Sequence, residues 1–146
     1  MKRGLAWILA VVAVLAGCAQ PPASTNFPPQ APLLETDWRP VEIEGVPFSA
    51  RPGTRQPYLV LSGNGNRVRG FTGCNNLAGS FEQDREELRF KPLATTRMAC
   101  LPESDLEARF LSAVNATASQ RVTGGTLELR DAEGRTRMRL QAQGLK

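Results

Sequence analysis

The chain has 146 residues, with 18 lysines and arginines against 14 acids, three cysteines, no histidine and a formal net charge of +4. The missing histidine excludes serine–histidine and cysteine–histidine catalysis, and a zinc site would have to be built from thiols and carboxylates alone. The length allows one domain with a modest core but not two, and the weak, interspersed charge argues against nucleic acid as a partner.

The first twenty residues read MKRGLAWILAVVAVLAGCAQ. Lys2 and Arg3 form a positive start, Leu5 to Leu15 an apolar run of signal-peptide length, and small residues follow. The run is short for a transmembrane helix. It closes on Leu15-Ala16-Gly17-Cys18, which resembles the bacterial lipobox, so residues 1–17 are expected to be a lipoprotein signal peptide and Cys18 the lipidated (palmitate-bearing) mature N-terminus. A plain secretory peptide with an incidental cysteine is the alternative. The residue after Cys18 is Ala19 rather than aspartate, which by the sorting rule of Gram-negative lipoproteins points to the outer membrane, with the domain facing the periplasm. Losing Lys2 and Arg3 lowers the formal charge from +4 to +2. Anionic envelope polymers, such as lipopolysaccharide or peptidoglycan, anionic lipid and envelope proteins are then the partners within reach.

Residues 18–32, with five prolines in AQPPASTNFPPQAP, read as an extended tether. From Leu33 to Lys146 short alternating segments separated by turn residues predict an antiparallel sheet. WRPVEIE and YLVLS are strands; Gly63 to Asn66 turns the chain into RVRGF; LAGSFEQ and ELRFKPL flank DREE. Residues 103–116 break the period of two, placing Leu106, Phe110, Ala113 and Val114 at helical spacing, with Ser104 and Glu107 fitting a capping box. RVTGGTLELRDAEGRTRMRLQA carries two further turns. A four-residue loop at 131–134 would set Glu128 opposite Arg137 and Leu127 opposite Met138, burying Leu127, Leu129, Met138 and Leu140 and showing Arg135, Arg137 and Arg139 on the other face. The expected fold is mainly β (α+β): a partly open antiparallel barrel of about eight strands with one amphipathic helix.

Cys74 and Cys100 remain once Cys18 is set aside. Two thiols without histidine make neither a convincing metal site nor an activated nucleophile, and Arg97 cannot accept a proton. Asp84, Glu86 and Glu87 fall in a turn, where acids are ordinarily solvated. In an oxidising compartment a Cys74–Cys100 disulfide is the favoured reading, with two buried free thiols as the alternative.

The flanking residues GFTGCNNLAGSF, LRFKPLATTRMAC and LEARFLSAV resemble the META domain, the family of the heat-shock protein HslJ. The match runs through Gly73-Cys74-Asn75, Gly79, Leu88, Phe90, Thr95, Thr96, Met98, Ala99, Cys100, Glu107, Phe110 and Leu111, and covers most of 33–146. The sequence departs at Trp38, which is followed by Arg39-Pro40 rather than a hydrophobic residue. The resemblance implies a small β-rich domain with one helix, frequent lipoprotein character, an envelope or stress-associated role and no established catalytic residue, metal or cofactor. Gly73 and Gly79 suggest unusual backbone or close packing, and Asn75-Asn76 a turn. The functional alternative to this scaffold reading is a polar surface patch of Asn75, Asn76, Thr95, Thr96 and Arg97 that recognises a partner. The stripe of Arg135, Arg137 and Arg139 is either an anion patch or a solvated strand face.

Three functions follow. The first is a non-enzymatic, membrane-tethered binding protein for envelope maintenance or stress tolerance. The second is an inhibitor of an envelope-directed hydrolase such as lysozyme, on architecture alone. The third, most remote, is an enzyme using carboxylates or a free thiol. The oligomeric state is left open.

Overall fold

The computed structural model describes residues 29–100 and 104–143. The leader, Cys18 and most of the tether lie outside the described residues, as do residues 101–103.

Among the described residues ten strands and one α-helix follow one another: β1 (Trp38–Ile43), β2 (Val46–Pro47), β3 (Tyr58–Ser62), β4 (Arg67–Phe71), β5 (Asn76–Asp84), β6 (Glu87–Phe90), β7 (Ala94–Thr95), α1 (Ser104–Asn115), β8 (Ser119–Thr123), β9 (Thr126–Arg130) and β10 (Thr136–Ala142). Eight of the strands form a ring in the order β1-β10-β9-β8-β6-β5-β4-β3, every pairing antiparallel, and β3 returns to β1 through Trp38 opposite Leu59. The barrel is therefore closed, a step beyond the partly open form expected. The two remaining strands, β2 on β1 and β7 on β5, are two residues each.

The period-two pattern decides which side chains fill the ring. Leu59 and Leu61 from β3, Val68 from β4, Leu77 and Phe81 from β5, and Leu88 from β6 are buried, and Leu127, Leu129, Met138 and Leu140 close the far wall. One helical face supplies Phe110, Ala113 and Val114, all fully buried, while Ser112 and Asn115 face solvent. Trp38 is buried too, its indole N–H donating to the Leu33 carbonyl at 2.9 Å. The folded part begins slightly before Leu33, because Ala31 is 2% exposed and its N–H donates to the Gly124 carbonyl at 2.9 Å.

Local chemistry explains the turns. Glu44 and Gly45, between β1 and β2, both have positive φ (53° and 75°), the geometry of a tight hairpin turn. Gly65 and Asn66 do likewise between β3 and β4. Trp38-Arg39-Pro40 does not prevent pairing: Pro40 sits opposite Leu140, and the ladder slips by a bulge between Pro40 and Glu42. The last hairpin corrects the expected register. Glu128 faces Arg139 and Leu127 faces Leu140, two residues from the alignment expected, with a bulge between Thr136 and Met138. A two-residue slip keeps each side chain on its face, so the buried set is unchanged. The cause is Asp131, whose carboxylate accepts the backbone N–H of Glu133 (3.1 Å) and Arg135 (2.9 Å), making a longer loop than four residues.

Candidate functional site

At the end of the barrel where β4 finishes and β5 begins, the chain reads Thr72-Gly73-Cys74-Asn75. Thr72 organises this turn: its Oγ1 accepts the N–H of Asn75 at 2.9 Å and of Cys74 at 3.3 Å, and its own N–H donates to the Asn75 carbonyl at 2.9 Å. Gly73 has φ +103°, and a Cβ there would lie 2.7 Å from Leu106 Cδ2 on α1. Glycine is thus required both by backbone and by packing. Gly79 is needed for packing alone, since a Cβ there would meet Leu93 Cδ2 at 2.6 Å.

Cys74 is bonded to Cys100, with their Cα atoms 5.7 Å apart. The bridge ties the segment Thr95–Cys100 down as a strap across the turn. Asn75 completes the attachment. Its Oδ1 accepts the Thr96 hydroxyl and the Met98 N–H, both at 2.7 Å, and its Nδ2 donates to Glu107 Oε2 at 3.0 Å and to the Met98 carbonyl at 3.3 Å. Glu107 Oε1 is also within 3.1 Å of the Thr72 hydroxyl. One asparagine side chain therefore joins turn, strap and helix, with every donor and acceptor it has in use.

This arrangement corrects one expectation. Asn75 is 3% exposed and belongs to the scaffold, not to a surface patch. Glu107 turns toward Thr72 and Asn75, and the side chain of Ser104, its expected capping-box partner, lies outside the described residues. Of the other patch residues, Thr95, Thr96 and Arg97 are exposed on the strap and line a shallow depression with Leu111 of α1. Asn76 is exposed on β5, where its Oδ1 accepts from Arg55 Nη1 at 3.1 Å. Asp84, Glu86 and Glu87 are exposed at the β5–β6 turn.

The arginine stripe is engaged with carboxylates throughout. Arg135 Nε lies 2.9 Å from Asp131 and its Nη2 3.1 Å from Glu133; Arg137 Nη2 lies 2.7 Å from Glu44; Arg139 reaches Glu42 at 2.6 Å and Glu128 at 3.1 Å. Glu128 also pairs with Arg130, whose hydrogen bond is the main cause holding its carboxyl below the ordinary value, while burial pulls the other way and Arg139 adds to the lowering. Asp131, 6% exposed, is raised by burial, but the N–H and guanidinium of Arg135 outweigh this and leave it lowered. An added anion would have to displace these partners.

On the other side of the strap lies a groove of about 520 Å³, which the sequence did not reveal. Its floor is apolar: Phe48, Pro57, Phe71, Met98, Leu106 and the disulfide itself. Arg51, Arg55 and Arg109 line it too, with Asp105 the one acid among the described lining residues. The Arg55 guanidinium lies 4.1 Å from the centre of the Phe71 ring, and no carboxylate among the described residues pairs with it. Arg109 Nε lies 3.4 Å from Asp105 Oδ2, an ion pair without hydrogen-bond geometry.

The sequence matches the META domain over residues 31–144. The chain belongs to the META domain family. The META domain here is similar to an NMR structure of a protein from Burkholderia xenovorans, with 27% identity and a TM-score of 0.60 over 77% of this chain and 84% of that one. A second NMR structure, 21% identical with a TM-score of 0.57 over 73% and 87% of the two chains, shares the fold. No curated protein matches the chain.

Proposed function

We propose that this META domain protein is an outer-membrane-anchored lipoprotein that faces the periplasm and serves envelope maintenance or stress tolerance by binding, without catalysis. The observation that carries the reading is the division of its three cysteines. Cys18 closes a lipobox-like leader, and the other two form a bridge. A structural disulfide suits an exported protein, because cytosolic thiols are kept reduced. Lipid on Cys18 would add roughly 0.8 kcal/mol of membrane affinity per buried methylene, so several acyl chains would hold the protein in place.

The groove and the neighbouring depression, both built around the bridged strap, are where a binding role would reside. Polar groups within the turn are satisfied by one another, which favours a recognition surface over a reactive one. The test is the Cys18→Ser variant, compared with the native chain by membrane fractionation and palmitate labelling in a Gram-negative host. The native chain should label and sediment with outer membranes. The variant should do neither. Equal labelling and sedimentation of both would remove the lipoprotein reading.

A further inference from the structure

We infer that the groove beside the strap binds a single-chain carboxylate amphiphile, a free fatty acid, with its chain on the apolar floor and its head on Arg55 and Arg109. The inference rests on the binding role of this groove and is independent of whether Cys18 carries lipid.

Three features lead to that chemistry. First, the floor is contributed by four separate parts of the chain: Phe48 after β2, Phe71 at the end of β4, Leu106 on α1 and Met98 on the strap. Met98 is 59% exposed, the most exposed large apolar side chain among the described residues, and adds its apolar surface to the groove. Second, the charge over that floor is positive and unevenly answered. The arginines of β10 each have carboxylate partners, whereas among the described residues Arg55 contacts neutral groups: Asn76 Oδ1 at 3.1 Å, the Tyr58 hydroxyl at 3.4 Å and the Phe71 and Tyr58 rings. Stacking on Phe71 fixes the guanidinium plane at the edge of the apolar surface and leaves N–H donors for a carboxylate. Third, the volume of about 520 Å³ falls within the range of small-ligand clefts, and the groove is open to solvent. Such a cleft admits a flexible chain.

The complement to a floor with a cationic edge is a ligand with an apolar chain and an anionic end. Neither an uncharged chain nor a small anion satisfies both halves.

The test is calorimetric titration of residues 19–146, purified oxidised, with dodecanoate below its aggregation concentration. That segment contains every strand, the helix and both bridge cysteines. Dodecanoate is expected to bind one to one with a Kd on the order of 100 µM. Dodecyl maltoside, with the same chain and no charge, should bind about tenfold more weakly, and acetate should give no heat. Arg55→Gln should weaken dodecanoate about tenfold while keeping the unfolding midpoint within about 2 °C. Ser49→Glu places a like charge on the exposed rim and should weaken it similarly, independently of any change at Arg55. The proposal is overturned by the absence of dodecanoate binding, by dodecyl maltoside binding within threefold of it, or by full affinity in either variant. Because the protein tested carries no lipid, any of these results leaves the anchoring of Cys18 standing.

Discussion

Replacing Asn75 by alanine tests whether one buried side chain holds the site together. The substitution removes five hydrogen bonds, to the Thr96 hydroxyl, the Met98 N–H, the Met98 carbonyl, the Glu107 carboxylate and the Cys74 sulfur, the last a weak one that adds little. Three neutral bonds at about 1 kcal/mol each and one to a carboxylate at about 2 kcal/mol give roughly 5 kcal/mol. Thr96 and Met98 are exposed, so water replaces part of what they lose. The net expectation is about 3 kcal/mol, a large share of the roughly 5 to 15 kcal/mol that holds a domain of this size folded. Urea unfolding of oxidised residues 19–146 would measure it, and the thermal midpoint should fall by about 12 °C at roughly 4 °C per kcal/mol. Asn76→Ala serves as the control, since Asn76 is exposed and its side chain accepts only from Arg55; it should cost less than about 0.5 kcal/mol. A loss below about 1 kcal/mol for Asn75→Ala would refute the view that this residue joins turn, strap and helix.

Reduction of the bridge should be comparably costly: closing a loop with a sequence separation of 26 is worth about 3.5 kcal/mol by chain entropy, read as a lower thermal midpoint in reductant. Gly73→Ala combines a φ of +103° with a Cβ 2.7 Å from Leu106 Cδ2, and should destabilise by about 2 kcal/mol in the same assay. Acid should weaken the fold through Glu128 and Asp131, whose pKa values are lowered on folding from ordinary values of 4.5 and 3.8. Groups lowered in this way contribute stability above their unfolded values and lose it as pH falls through the folded ones. Stability should therefore hold steady above about pH 5 and decline below it, with a shallower decline in Glu128→Gln; an identical acid limb in that variant would contradict the assignment.

Much of the barrel is legible in the sequence because strand faces obey a period of two. Leu127, Leu129, Met138 and Leu140 are buried as the pattern requires, and the helical spacing of Phe110, Ala113 and Val114 identifies α1. The register of β9 with β10 was not legible, because it depends on Asp131 binding the loop backbone, a contact that side-chain periodicity does not encode. Nor was the site. Asparagine reads as a surface or turn residue, yet Asn75 is buried by partners 21 to 32 positions away, at Thr96, Met98 and Glu107. The groove was missed for a related reason. FSARPGTRQP has no apolar period and reads as plain loop, while Arg55 gains its place from a ring contributed by β4.

Closure of the ring has a bearing on how such molecules behave as neighbours. Among the described residues the sheet ends on itself through Trp38 opposite Leu59, and the strands outside the circle are the two-residue β2 and β7, with Pro47 withholding an N–H from one of them. Among freely diffusing molecules an open edge is an occasional hazard. Under the proposed lipid anchor, with the same side presented again and again at high local density, an open edge would invite molecules to add to one another strand by strand. A sheet that ends on itself would let them stand close together and remain separate.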